Sequence, residues 1–146
     1  MKRFALAVIV LLTFSALTAP AQEDNSLYAL GAVGASNLYF SYLVLGTVAD
    51  SYASDGYTAG MARQLASEAI ALNTSSRDAL QKLLSEKSLS ADDQQVLNAM
   101  IEAHTLLISQ AQGLLKFVDD PSQTTDFQNY REQAWAKISK LLGIEK

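Results

Sequence analysis

Cysteine is absent from this chain of 146 residues. That single absence excludes disulfides, thiol catalysis, Cys-ligated iron–sulfur clusters, covalently attached c-type haem and a cysteine-linked lipid anchor. Histidine occurs once, at His104. There is no Gly-rich phosphate loop and no dinucleotide fingerprint. No Lys/Arg cluster exists to give the electrostatic footprint for nucleic acid or anionic lipid. No alternating apolar and polar run points to a strand. A Ser–His–Asp triad has only His104 to draw on, and that residue falls on a core-facing stripe. An enzyme is therefore not expected.

The chain opens with "MKRFALAVIVLLTFSALTAPAQ". Lys2 and Arg3 form a positive n-region, Phe4 to Leu17 an apolar h-region, and Ala19 and Ala21 occupy the −3 and −1 positions of a cleavage site. This is the tripartite pattern of a secretory signal peptide over residues 1–21. Its loss takes Lys plus Arg from 11 to 9 against 15 acidic residues, so the mature chain carries a formal charge of −6. Residues 22–146 are enough for one domain stable on its own core. Export is expected, with a short signal of few basic residues fitting a bacterial periplasm.

The mature region reads as four helices, about 26–52, 58–86, 91–118 and 125–142. Asp55-Gly56 is a strong turn signal after the first, and Thr58 suits the cap of the second. There, Leu65, Ala69, Leu72, Ser76, Ala79 and Leu83 step by four and three, an apolar stripe of the bundle type. Ser90 with Asp93 three residues on resembles a capping box. The third helix is the most regular: Leu97, Met100, His104, Leu107, Ala111, Leu114 and Val118, widened by Ile101, Ile108 and Leu115. Pro121 stops it, and Ser122 or Thr125 can open the last helix. That helix carries Phe127, Tyr130, Ala134, Ile138 and Leu141, with Gly143 and Ile144 suited to a Schellman ending. Short connections favour an all-α, up-down-up-down four-helix bundle.

The first of these helices poses the functional question. From Asn25 to Ala49 there is no charged residue, a run long enough to cross a membrane. Its flanks are acidic, with Glu23 and Asp24 before and Asp50 and Asp55 after, so the Lys/Arg bias that orients a span is missing. Ser36, Asn37, Tyr39, Ser41 and Tyr42 lie in its middle, where hydrocarbon leaves polar groups without partners. A buried bundle helix with no stable membrane span is the expectation. Leu27, Leu30, Gly34, Leu38, Ser41, Leu45, Val48 and Tyr52 make its core stripe, while Val33, Phe40 and Val44 point elsewhere. Either the core stripe is simply broad, or this helix meets another surface, since contiguous exposed apolar patches mark interaction sites; a homodimer or protein partner is one way to cover such a face. Gly34 and Ser41, small residues on the core stripe, either receive a large neighbour such as Trp135 or Phe117 or leave a pocket for a small apolar ligand. Asn37, Tyr39 and Tyr42 would supply the polar contacts of such a pocket.

His104 follows Met100 by one turn on the core stripe. A helical bundle holding His and Met resembles b-type haem proteins in architecture, and that resemblance implies a His–Met axial pair. Met100 shares a helix with His104, so Met61 would have to be the second ligand. A di-iron site requires Glu-x-x-His on two helices, whereas Glu102 precedes the lone histidine by two. A satisfied core histidine is the reading favoured, and no cofactor or metal is expected. Function is expected to be non-enzymatic binding through the first helix. A haem- or metal-binding bundle built on His104 and a structural or stress-related envelope protein are the alternatives. Gly34, Asn37, Tyr39, Ser41, Tyr42 and His104 are the candidate ligand or interface residues.

Overall fold

A computed structural model describes residues 25–85 and 89–144, with the side chains of 25–28 left aside. The expected signal peptide and its cleavage site after Ala21 lie outside the described residues. Four helices form: α1 Asn25–Ala53, α2 Ala59–Leu84, α3 Ala91–Asp119 and α4 Thr125–Leu142. No strand occurs among the described residues.

Helix α3 is the centre of the assembly because its apolar period is the most regular. All seven positions of its stripe, from Leu97 to Val118, are buried. Its two broadest contacts are with α2 and α4, which do not touch each other. Helix α1 touches all three partners but shares a smaller contact with each. The core joins Leu38, Leu45 and Val48 of α1 to Leu80 of α2, Leu107 and Leu114 of α3, and Phe127 and Ile138 of α4. Each such side chain contributes roughly 1.5–3 kcal/mol by leaving water.

Helix α2 departs from its expected stripe. Leu72 is 69% exposed, and the buried line runs through Ala62, Ala66, Asn73 and Leu80. The face is rotated by about one residue because small alanines let α2 approach closely and a polar residue, Asn73, occupies its middle. An apolar count places the stripe on Leu72 and misses Asn73.

The helix ends follow local chemistry. The Thr58 hydroxyl accepts from the Met61 N–H at 3.2 Å, and Ser90 accepts from the Asp93 N–H at 3.1 Å. The Asp93 carboxylate takes the Ser90 hydroxyl rather than the backbone N–H of a full capping box. In the α1–α2 turn, Asp55 adopts the left-handed conformation at φ 59°, so the aspartate of the Asp-Gly pair makes the reversal. Neither Ser122 nor Thr125 caps α4. Thr124 precedes it without a side-chain bond, and Ser122 donates instead to Asp120 at 2.7 Å. At the other end Gly143 has φ 65°. The Ile144 and Gly143 N–H groups close on the carbonyls of Ser139 (3.0 Å) and Lys140 (3.1 Å), a complete Schellman pair.

Ion pairs tie the helix ends. Arg63 meets Asp119 at 2.8 Å, Arg131 meets Asp50 at 3.7 Å and Lys116 meets Asp126 at 2.7 Å. All are surface pairs, worth about 0–1 kcal/mol each. They leave Asp119 and Asp120 engaged within the chain: Asp120 accepts from Ser122 and Gln123. Those hydrogen bonds hold its carboxyl below the usual carboxylate range.

Candidate functional site: the outer face of the first helix

Helix α1 is half embedded. Leu38, Leu45, Gly46, Val48 and Ala49 are buried, and on its flank Tyr39 and Tyr42 pack on Trp135 of α4 with ring centroids 6.2 and 5.3 Å apart. The opposite side is open. Val33 is 69% exposed, Phe40 63% and Val44 49%, with Leu43 and Leu30 at its margins. Leu30 was expected in the core and lies instead at the rim. No charged residue interrupts this face before Asp50. By length and composition Ala29–Ala53 is apolar enough to cross a membrane or to pass for a signal sequence, with a mean hydropathy of 1.3.

The face has relief. Ala32, Val33, Ser36, Asn37 and Phe40 line a shallow apolar notch. Its floor is formed by small residues, and the Ser36 hydroxyl is turned back onto the Ala32 carbonyl at 2.9 Å. Asn37 is exposed at the rim, with no hydrogen bond to another described residue. It is the one amide in a stripe of hydrocarbon.

The six candidate residues thus fall in four places. Asn37 faces outward. Gly34 faces α3, where a Cβ would collide with the Met100 methyl group, so Met100, not Trp135 or Phe117, fills that space. Tyr39 and Tyr42 join α1 to α4, and Ser41 is half-buried on the core-facing side with Gly34. His104 lies apart, 2% exposed. Asn37 and the two tyrosines are not brought to one pocket.

His104 is locked by a residue the apolar pattern could not reveal. The Asn73 amide N–H donates to the Ala69 carbonyl at 2.8 Å, which turns its Oδ1 toward the imidazole. The His104 Nδ1–H then donates to it at 2.8 Å, fixing the Nδ1–H tautomer. Burial, aided by the nearby Arg77 guanidinium, holds the ring's pKa at about 4 against an ordinary 6.5, so it is neutral at pH 7. Met61 is exposed near the start of α2, twelve residues before Asn73, about 18 Å along the helix. Axial ligands lie on opposite sides of one iron, and these two do not converge. Among the described residues no group of three or more His, Asp or Glu side chains comes together.

One buried polar group is unexplained by either region. Gln110 is fully buried on α3, and neither its amide nitrogen nor its oxygen finds a hydrogen bond among the described residues. An unmatched buried amide costs about 1–3 kcal/mol. Gln110→Met keeps the shape and removes both polar atoms, so it should raise stability by about 1–2 kcal/mol in urea unfolding. A loss of stability instead would mean that the amide serves a molecule held in the core.

Comparison with known proteins found no matching family model, no matching curated relative and no matching solved structure.

Proposed function

We propose that this protein is exported to the bacterial periplasm after cleavage at Ala21, and that it acts by binding, without catalysis, through the outer face of α1. The observation that carries the reading is the exposure of Val33, Phe40 and Val44 on one uncharged helix face. Isolated apolar residues on a surface are ordinary, but a contiguous row of them signals a partner. Export is supported by the n-region, h-region and Ala-x-Ala pattern of residues 2–21.

The proposed frame is an up-down-up-down bundle. Its support is the pairing of chain ends: Arg63 near the start of α2 with Asp119 at the end of α3, and Asp50 near the end of α1 with Arg131 near the start of α4. Tyr52 also donates to the Val118 carbonyl at 3.2 Å, which sets the ends of α1 and α3 side by side. In that frame α1 has three partners on one side and, among the described residues, none on the other. A soluble chain tolerates such a face only if something covers it for part of its working life.

Native mass spectrometry of the purified protein tests the proposal. The expected spectrum contains a species heavier than the bare monomer, and Phe40→Glu abolishes it. A bare monomer as the sole species of the unsubstituted protein, at every concentration, overturns the proposal.

A further inference from the structure

Resting on the reading of α1 as the binding surface, we propose that its occupant is a second copy of this chain. The two α1 helices run parallel about a two-fold axis, with their Asn37 side chains facing each other. Leu30, Val33, Asn37, Phe40, Val44 and Thr47 follow one another at spacings of three, four, three, four and three. That is the a/d pattern of a coiled-coil seam, with Leu30, Asn37 and Val44 at a and Val33, Phe40 and Thr47 at d. It lies on the side of α1 that the rest of the fold leaves open. A seam on the buried side would be explained by the bundle itself, and this one is not.

The relief of the face fits the same partner. Val33, Ser36, Asn37 and Phe40 stand at i, i+3, i+4 and i+7, the four corners of a knob-receiving hole, and they line the observed notch. In parallel pairing the knob that enters a d–g–a–d hole is the a residue at the same level, which is the second copy's own Asn37. Each amide then has a donor and an acceptor for the other. A single Asn at an a position specifies register and dimeric state at some cost in affinity. Antiparallel pairing centred on the stripe sets Asn37 against Phe40 and leaves both amides unmatched. A lipid surface leaves them unmatched too.

Charge and area agree. The mature chain is acidic, at −6 after the proposed loss of residues 1–21, which opposes self-association in general and favours the uncharged length of α1 as the one place for it. Phe40 alone carries about 200 Å² of surface, and with Val33, Phe40 and Val44 about half exposed or more the stripe buries at most on the order of 500 Å² per copy. The total, about 1,000 Å², is at the lower limit for a specific interface. An interface of that size belongs to the weak, transient class, so a dimer that forms at high local concentration and dissociates on dilution is expected.

The chain has no cysteine, so a single introduced thiol reports register. Thr47→Cys lies at a d position near the end of the stripe. Parallel pairing brings the two thiols together, whereas antiparallel pairing centred on the stripe keeps them about 25 Å apart. Under mild oxidation near the dimer Kd, Thr47→Cys is expected to form a disulfide-linked dimer at least tenfold faster than Leu72→Cys on the exposed side of α2. Asn37→Leu is expected to tighten association about tenfold and, in the Thr47→Cys background, to lower cross-linking yield or raise the mass above dimer. Equal rates for the two cysteine variants overturn the proposal, as does an Asn37→Leu protein unchanged in mass and cross-linking. If the protein is monomeric in solution but carries a bound molecule, or floats with phosphatidylglycerol vesicles, and Phe40→Glu abolishes this, the second copy is wrong while the binding face stands. A bare monomer in every arm removes both.

Discussion

Gly113→Ala is expected to destabilise the protein by about 2 kcal/mol, although alanine is the better helix former. A Cβ at Gly113 would stand 2.7 Å from the Phe127 nitrogen and 2.9 Å from its Cα. Those are backbone atoms in the first turn of α4, so no rotamer change relieves them and α4 must move as a body. Moving α4 disturbs Phe127, one of the largest buried side chains. Overpacking of this kind costs about 1–3 kcal/mol and more where backbone is struck, against a helix-propensity gain of about 1 kcal/mol. Gly60→Ala is the control. Its Cβ would meet only the Thr58 Oγ1 at 3.9 Å, so it should be neutral or stabilising by up to about 1 kcal/mol. Urea unfolding of the two variants checks the difference. A Gly113→Ala protein as stable as its parent would mean that α3 and α4 do not cross as closely as described.

The second large effect concerns the buried His104–Asn73 pair. Asn73→Leu leaves the His104 Nδ1–H without an acceptor inside the core and should cost about 2–3 kcal/mol at pH 7.5. The double variant Asn73→Leu/His104→Leu removes both halves and should recover most of that loss, since matched polar pairs contribute little net. The pair also sets an acid limit. The folded ring holds a pKa near 4 where the unfolded ring has 6.5. Between those values the unfolded chain binds a proton that the folded chain refuses, so stability falls as pH drops. The contribution is complete above pH 6.5, declines from 6.5 to 4 and changes no further below. At about 1.36 kcal/mol per pH unit, the loss across that window is on the order of 2–3 kcal/mol. Asp120 titrates below the ordinary 3.8, outside this window. Unfolding midpoints at pH 7.5 and 4.5 should differ in the parent and much less in the double variant; equal slopes in both would assign the acid sensitivity elsewhere.

How far the sequence carried this description depends on how much each helix relies on hydrocarbon. Helix α3 was readable because its seven stripe positions recur at three and four, and every one is buried. Helix α2 was misread in rotation because its buried line is two alanines, an asparagine and Leu80, where volume and hydrogen bonding, not hydropathy, decide what faces inward. The surplus apolar surface of α1 was legible from the lack of charge, and Val33, Phe40 and Val44 do point away from the fold. The division of the candidate residues was not legible. Placing Asn37 with Tyr39 and Tyr42 treats neighbours in sequence as neighbours in space. On a helix, Asn37 belongs with Val33 and Phe40 on one side, and the tyrosines turn toward Trp135. Gln110 gave no signal at all, since a glutamine beside a stripe reads as a solvated flank. The close approach of α3 and α4 at Gly113 likewise depends on a contact between segments that sequence spacing does not encode.

The central claim is that the open side of α1 is a working interface. Sedimentation equilibrium of the parent and of Phe40→Glu tests it most directly. Phe40 is well exposed, so the substitution should leave helical content and the unfolding midpoint unchanged. The parent is expected to show reversible association in the micromolar range, and the variant to remain monomeric at concentrations a hundredfold higher. Identical mass distributions for the two proteins would contradict the claim.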